Sequence, residues 1–172
     1  CLKKNTYDQF YNEHIYVFSL IGIENILKKY DFEIFHIQNL EIHGGSNRYF
    51  IKKRTNKKPI FSSVNNQRKK EINYGIQKIS TYKKFAKRVK FSKRRLKKIF
   101  LKIISKNKKI IGYGVTAKSS TILNYCKIDK EFISYFIDTT KDKQNKYTPG
   151  TKIPILKYQG FIKKDIDFVF LG

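Results

Sequence analysis

Tyr11, Glu13 and His14 bring a phenol, a carboxylate and an imidazole together within four positions of the stretch Asp8-Gln9-Phe10-Tyr11-Asn12-Glu13-His14. An imidazole, with an ordinary pKa of about 6.5, takes or gives a proton near neutral pH, and a carboxylate beside it fixes its tautomer or raises its basicity. The three types suit proton transfer. His14 is the candidate general base, Glu13 the group that orients or polarises it, and Tyr11 a donor to substrate oxygen. Short polar clusters also occur on ordinary loops, so such a site has to be completed by other elements.

A second feature lies a hundred residues on. Gly112-Tyr113-Gly114-Val115-Thr116-Ala117 fits G-x-G-x-x-A between an apolar strand-like run and a helical one, and Asp138 ends the next strand-like run. Glycines there let backbone approach a diphosphate, and the N–H groups and positive dipole of the helix start attract it. Lys118, next in the chain, adds a point charge suited to a phosphate oxygen. Without further context this fingerprint fits a nicotinamide dinucleotide, and a tight β-to-α turn alone would also require the glycines.

The elements that must carry these groups follow from periodicity. Ser19 is suited to cap a helix running to about Tyr30, with Leu20, Ile23, Ile26 and Leu27 on one face. Phe32 to Ile42 reads as a strand, His43-Gly44-Gly45-Ser46 as a tight turn, and Asn47 to Lys53 as the returning strand. The polar run at 55–63, with Pro59, reads as a linker. Tyr82, Phe85, Val89, Leu96, Ile99 and Ile103 then recur at three- and four-residue steps, predicting a long helix with a basic outer face. Beyond it come a strand (109–113), a turn, a helix (117–126), a strand (132–138), a loop and a last strand ending at Leu171, an α/β unit whose strands are expected to be parallel.

Composition narrows the classes. The chain has 172 residues, 38 Lys and Arg against 13 Asp and Glu, a formal charge of +25 and 15% aromatics. That balance raises a basic nucleic-acid-binding module as a rival reading, with salt-sensitive adhesion to polyanions expected in any case. Lysine, asparagine and isoleucine are spread evenly over helices, strands and loops, which argues against one designed stripe and against specific nucleic-acid recognition. No run of about 18 apolar residues suggests membrane insertion. Two cysteines, Cys1 and Cys126, and three histidines, His14, His36 and His43, show no metal-ligand spacing, so no metal site is expected and a reducing, cytoplasmic setting is the simplest reading. The absence of any Met and the start at Cys1 suggest a fragment.

Four segments, in order, resemble the S-adenosylmethionine-dependent sugar C-methyltransferases. The first is Asp8, Gln9, Tyr11, Glu13, His14, Phe18 and Ser19, similar to the family's D-Q-x-Y-x-E-H-x-x-Y-F-S, with Val17 at a usually aromatic position and Asn12 where many relatives carry a second His. Ile42-His43-Gly44-Gly45-Ser46-Asn47-Arg48 looks like I-H-G-G-S-x-R. Gly112 to Lys118 with Leu123-Asn124-Tyr125-Cys126 resembles G-Y-G-A-x-A-K-G and L-L-N-Y-C, Ser119 replacing the last glycine. Asp138, Lys143, Lys146-Tyr147 and Pro149 to Ile155 complete the series.

The resemblance implies an α/β chain in three parts. Residues 1–54 would end a class I, Rossmann-like methyltransferase domain, 55–63 would link, and 64–172 would form a small, truncated, Rossmann-like C-terminal domain. That domain would hold the nucleotide part of a nucleoside-diphosphate sugar, not a dinucleotide cofactor. Gly112, Gly114, Thr116, Ala117, Lys118, Ser119, Asp138, Lys143 and Tyr147 are its expected substrate-binding residues, and His43, Gly44 and Gly45 would shape a hairpin near the active site. His14, Glu13 and Tyr11 would deprotonate carbon beside a 4-keto group. S-adenosylmethionine would be bound mainly upstream of Cys1, where a zinc-binding, cysteine-rich domain is also implied, so this fragment alone is expected to be inactive.

Overall fold

Leu20 to Lys28 form helix α1, and the sequence dictates where it starts. The Ser19 hydroxyl accepts from the Gly22 N–H at 3.1 Å. The N–H groups of Leu20 and Ile21, which have no acceptor inside the helix, donate at 2.9 and 3.1 Å to the carboxylate of Glu71, a distant and nearly buried residue. The expected hairpin follows as antiparallel strands β1 (Phe32–Leu40) and β2 (Ser46–Lys53). Gly44 and Gly45, at φ of +81° and +114°, turn the chain between them, and this is the left-handed range where glycine carries no Cβ penalty.

The computed structural model describes residues 1–158 and 166–172. Its two compact units are not consecutive in sequence: one comprises Cys1–Thr6 and Tyr16–Ala86, the other Tyr7–Ile15 and Lys87–Gly172. The first holds α1, the hairpin and helix α2 (Ser62–Tyr74), and its core is Leu20, Ile34, Ile37 and Val64. Ser62 and Ser63, expected in a linker, open α2, and the Ser63 hydroxyl binds the Ile37 N–H at 3.1 Å and the His36 ring at 2.9 Å. Helix α3 (Ile79–Ile104) is continuous, with residues up to Ala86 counted in the first unit and the rest in the second.

The second unit is a Rossmann-like sheet of four parallel strands: β3 (Ile110–Tyr113), β4 (Phe136–Asp138), β5 (Ile155–Lys157) and β6 (Phe168–Leu171), in the order β5-β4-β3-β6. Every residue of β4 is buried, and so are Ile110, Ile111 and Gly112 of β3, as parallel strands covered on both faces require. Phe100 of α3 packs with Leu123 and Cys126 of helix α4 (Ala117–Cys126), Ile110 of β3, Phe136 of β4 and Ile155 of β5. Burial raises the pKa of the Cys126 thiol, against opposing pulls from the Tyr7 hydroxyl and Lys93, as befits a packing residue. The chain steps outward from β3 to β5 and returns on the other side of β3 as β6, which opens a crevice at the carboxyl ends of the strands.

The amino-terminal segment is built into this unit. A 3-10 turn at Tyr7–Gln9 buries Tyr7, whose ring meets Tyr125 edge-on at 5.5 Å and whose hydroxyl lies 3.4 Å from Ser92 Oγ. Thr121 Oγ1 of α4 donates to the Phe10 carbonyl at 3.3 Å.

Candidate active site

The β3–α4 turn is held open by charge. Gly114 takes φ +79°, and the Val115 N–H then donates to Asp138 Oδ2 at 2.7 Å while the Thr140 N–H donates to Oδ1 at 2.8 Å. Lys143 Nζ donates to the Val115 carbonyl at 2.7 Å and stands 3.5 Å from Asp138 Oδ2. Asp138 is 5% exposed. Burial pushes its pKa up, but the N–H groups of Thr140 and Val115, the Thr140 side chain and Lys143 outweigh that and hold it below the ordinary carboxylate range. Both carboxylate oxygens are thus engaged within the fold.

That lowered pKa sets the sign of a pH dependence. An unfolded Asp binds its proton near pH 4 and the folded one lower, so the stabilisation is fully present above about pH 4 and is lost as pH falls through the folded value. Asp138→Asn is expected to cost roughly 1.5–3 kcal/mol at pH 7, the range for hydrogen bonds to a charged group. Urea unfolding of both proteins at pH 7 and pH 3 checks this. A gap undiminished at pH 3 would mean that the charge is not what holds the turn.

Helix α4 begins with a reciprocal box. Thr116 Oγ1 accepts from the Ser119 N–H at 3.0 Å, and Ser119 Oγ accepts from the Thr116 N–H at 2.9 Å. Ser119, which the resemblance marks as a departure, is therefore the buried capping partner of this turn. An α-helix has no internal acceptor for the N–H groups of Ala117 and Lys118, and its dipole makes this end positive.

Beside that helix start lies a cleft of about 730 Å³. Thr116, Ala117, Ser120, Thr121 and Asn124 supply the α4 wall, Phe10, Tyr11 and Asn12 a second, and Lys143, Lys146 and Tyr147 the loop side. Residues 10–12 and the residues that follow the glycine turn, far apart in sequence, thus meet in one cleft of one unit.

His14 sits behind Tyr11. Its Nδ1 lies 2.8 Å from the Gln9 carbonyl and its Nε2 3.2 Å from the Tyr11 hydroxyl, with the two rings 4.2 Å apart. A carbonyl oxygen can only accept, so Nδ1 carries the hydrogen and Nε2 presents a lone pair to the phenol. The orienting group expected from Glu13 is, in the structure, the Gln9 backbone; Glu13 is exposed.

The other expected residues sort by position. Thr116, Ala117, Lys143 and Tyr147 line the cleft. Gly112, Gly114, Ser119 and Asp138 build the turn behind it. Lys118, in the first turn of α4, is half-buried and does not line the cleft. Gly44 and Gly45 belong to the other unit, and the His43 side chain lies outside what is described. Sequence reasoning missed Phe10, Asn12, Asn124, Lys146 and the Gln9 carbonyl. A signal for Asn124 existed: Ala117, Ser120, Thr121 and Asn124 stand at i, i+3, i+4 and i+7, one helix face. Among the described residues no group of three or more His, Cys, Asp or Glu is placed to hold a metal ion, and no helix is long and apolar enough to cross a membrane.

The C-methyltransferase NovU of Streptomyces niveus is 28% identical over 154 residues, which cover 90% of this chain but only 37% of NovU. The profile of the C-methyltransferase C-terminal domain matches residues 41–171, beginning between β1 and β2 and running through the turn, the loop and β6. Given a match over most of its length, the chain belongs to the family of C-methyltransferase C-terminal domains.

Proposed function

We propose that this chain is the C-terminal part of an S-adenosylmethionine-dependent C-methyltransferase whose acceptor is a nucleoside-diphosphate-linked keto-deoxy sugar, methylated through an enolate. One observation carries the reading: Tyr11, hydrogen-bonded to His14, opens onto the same cleft as the start of α4. A carbon next to a carbonyl becomes nucleophilic only when its proton is removed. The Tyr11 hydroxyl first turns from His14 Nε2 to the ketone oxygen, and the lone pair so freed takes that proton while the C–H electron pair moves into the enolate, whose oxygen keeps the Tyr11 hydrogen bond. On this reading residues 1–54 lead out of the catalytic domain, and the protein works in the cytoplasm.

The methyl donor does not fit the turn of this chain. A nucleoside at a glycine turn uses the carboxylate at the end of the next strand for its ribose hydroxyls, whereas Asp138 is buried, does not line the cleft, and accepts from the Val115 and Thr140 N–H groups. Donor binding therefore falls to sequence outside this chain. The same observation argues against a nicotinamide dinucleotide.

The test is isotope exchange. The longer protein, given a nucleotide-linked 4-keto-6-deoxy sugar in deuterated water without methyl donor, is expected to place deuterium beside the carbonyl, read by mass spectrometry. Absence of both exchange and methyl transfer would sink the proposal, and saturable NAD binding by the 172-residue chain would favour an oxidoreductase instead.

A further inference from the structure

Three lysines compete for a phosphate in this region, and the structure separates them. Lys143 is committed: its ammonium donates to the Val115 carbonyl at 2.7 Å and neighbours the buried Asp138 carboxylate at 3.5 Å. Drawing it toward a ligand would loosen the β3–α4 turn and strip a cation from a carboxylate that is 6% exposed in its side chain. Lys118 is on the right helix but does not line the cleft.

Lys146 lines the cleft, is exposed, and pairs with no carboxylate among the described residues. Its backbone is pinned where its side chain is free. The Lys146 carbonyl accepts from the Ile155 N–H at 2.8 Å, the Asn145 N–H donates to the Ile155 carbonyl at 2.8 Å, and Tyr147 pairs across to Pro154. Asn145, at φ +60°, turns the chain into this short ladder. Asn124 ties the same loop to α4 by donating to the Pro149 carbonyl at 3.0 Å. A flexible four-carbon stem on a fixed base can follow a phosphate without moving the loop, as a compact point charge. Among the described residues that line the cleft, Asp142 is the carboxylate and Lys143 and Lys146 the cations, and Lys143 is spent on Asp138 and the Val115 carbonyl.

We propose that Lys146 is the residue that contacts the substrate's phosphate in this cleft, with Lys143 acting as the latch that holds the turn. This rests on the nucleotide-linked substrate proposed above.

Titration calorimetry of the 172-residue chain with thymidine and uridine diphosphate, and with inorganic pyrophosphate, at about 0.15 M salt so that long-range attraction is screened, separates the possibilities. Wild type is expected to saturate with at least one nucleoside diphosphate. Lys146→Ala should weaken binding tenfold or more, Lys146→Arg should retain most of it, and Lys118→Ala should change it less than twofold. Lys130→Ala, which removes a lysine that does not line this cleft, serves as a charge control, expected near wild type. Lys143→Ala should lower the melting temperature, as loss of a latch requires. Equal weakening in Lys130→Ala and Lys146→Ala would overturn the assignment in favour of general electrostatics, and loss in Lys118→Ala with retention in Lys146→Ala would move the contact to the helix. Failure of wild type to bind any of the three probes would take down the nucleotide reading itself, and this inference with it.

Discussion

Replacing His14 by Ala in the longer protein is expected to slow exchange of the sugar's α proton by roughly 10² to 10⁴, the contribution general-base catalysis ordinarily makes. Substrate affinity should change little, because Tyr11, not His14, lines the cleft. The expectation rests on the tautomer: the Gln9 carbonyl holds the hydrogen on Nδ1 at 2.8 Å, so Nε2 meets the phenol as a lone pair. Tyr11→Phe should leave Nε2 free to accept a proton while removing a donor for the enolate oxygen, a smaller loss that falls on the rate and not on binding. Glu13 is exposed, so Glu13→Gln should lose least. Exchange is the better readout than methyl transfer, since it isolates the proton step from the donor. Full exchange in His14→Ala would move the base elsewhere, and equal losses in His14→Ala and Glu13→Gln would restore the carboxylate as the orienting group.

What the sequence made legible follows how local each signal is. Helix α4 runs from Ala117 to Cys126 as expected, and Ser19 caps α1, because a cap and an apolar run are both written in neighbouring residues. Helix α2 was not legible: of its thirteen residues only Val64 and Glu71 are buried, too few to make a stripe. Strand β4 starts at Phe136, not at 132, because Asp129 Oδ1 takes the Glu131 N–H at 3.0 Å and turns 129–133 into a bend. Strand β5 has three residues, below what alternation can mark. In α3 the periodicity was right but its edge was off. Phe100 is core, whereas Tyr82 and Ile99 stay 43% and 46% exposed, which places the buried stripe on Val89, Leu96, Phe100 and Ile103.

The site itself divides the same way. Tyr11 and His14 were legible as a pair from types and spacing, and so was the turn at Gly114. That residues 7–15 pack with Lys87–Gly172 was not, since no local pattern records which distant helix a polar loop will join. Nor could spacing tell a lysine that reaches a ligand from one that closes a turn. Lys143 and Lys146 are three apart on one loop, and only the positions of Val115 and Asp138 separate them.

Gly112→Ala is expected to destabilise the second unit by roughly 1–3 kcal/mol, the usual cost of overfilling a packed core, and to do so without a ligand. Gly112 has an ordinary strand conformation and pairs in register with Phe136 of β4. A Cβ at that position would overlap one edge of the Phe136 ring, which is itself fully buried among Ile110, Leu123 and Phe170. The first glycine of the fingerprint thus makes room for an aromatic side chain, whereas Gly114, at φ +79°, makes the turn. Phe136→Ala should cost about 3–5 kcal/mol through the cavity it leaves. The decisive measurement is the pair: if the clash is the mechanism, Gly112→Ala combined with Phe136→Leu should be clearly less unstable than the sum of the two single changes, since contacting residues couple. Strict additivity in urea unfolding, or an unaltered stability of Gly112→Ala accompanied by lost nucleoside diphosphate binding, would return Gly112 to the ligand.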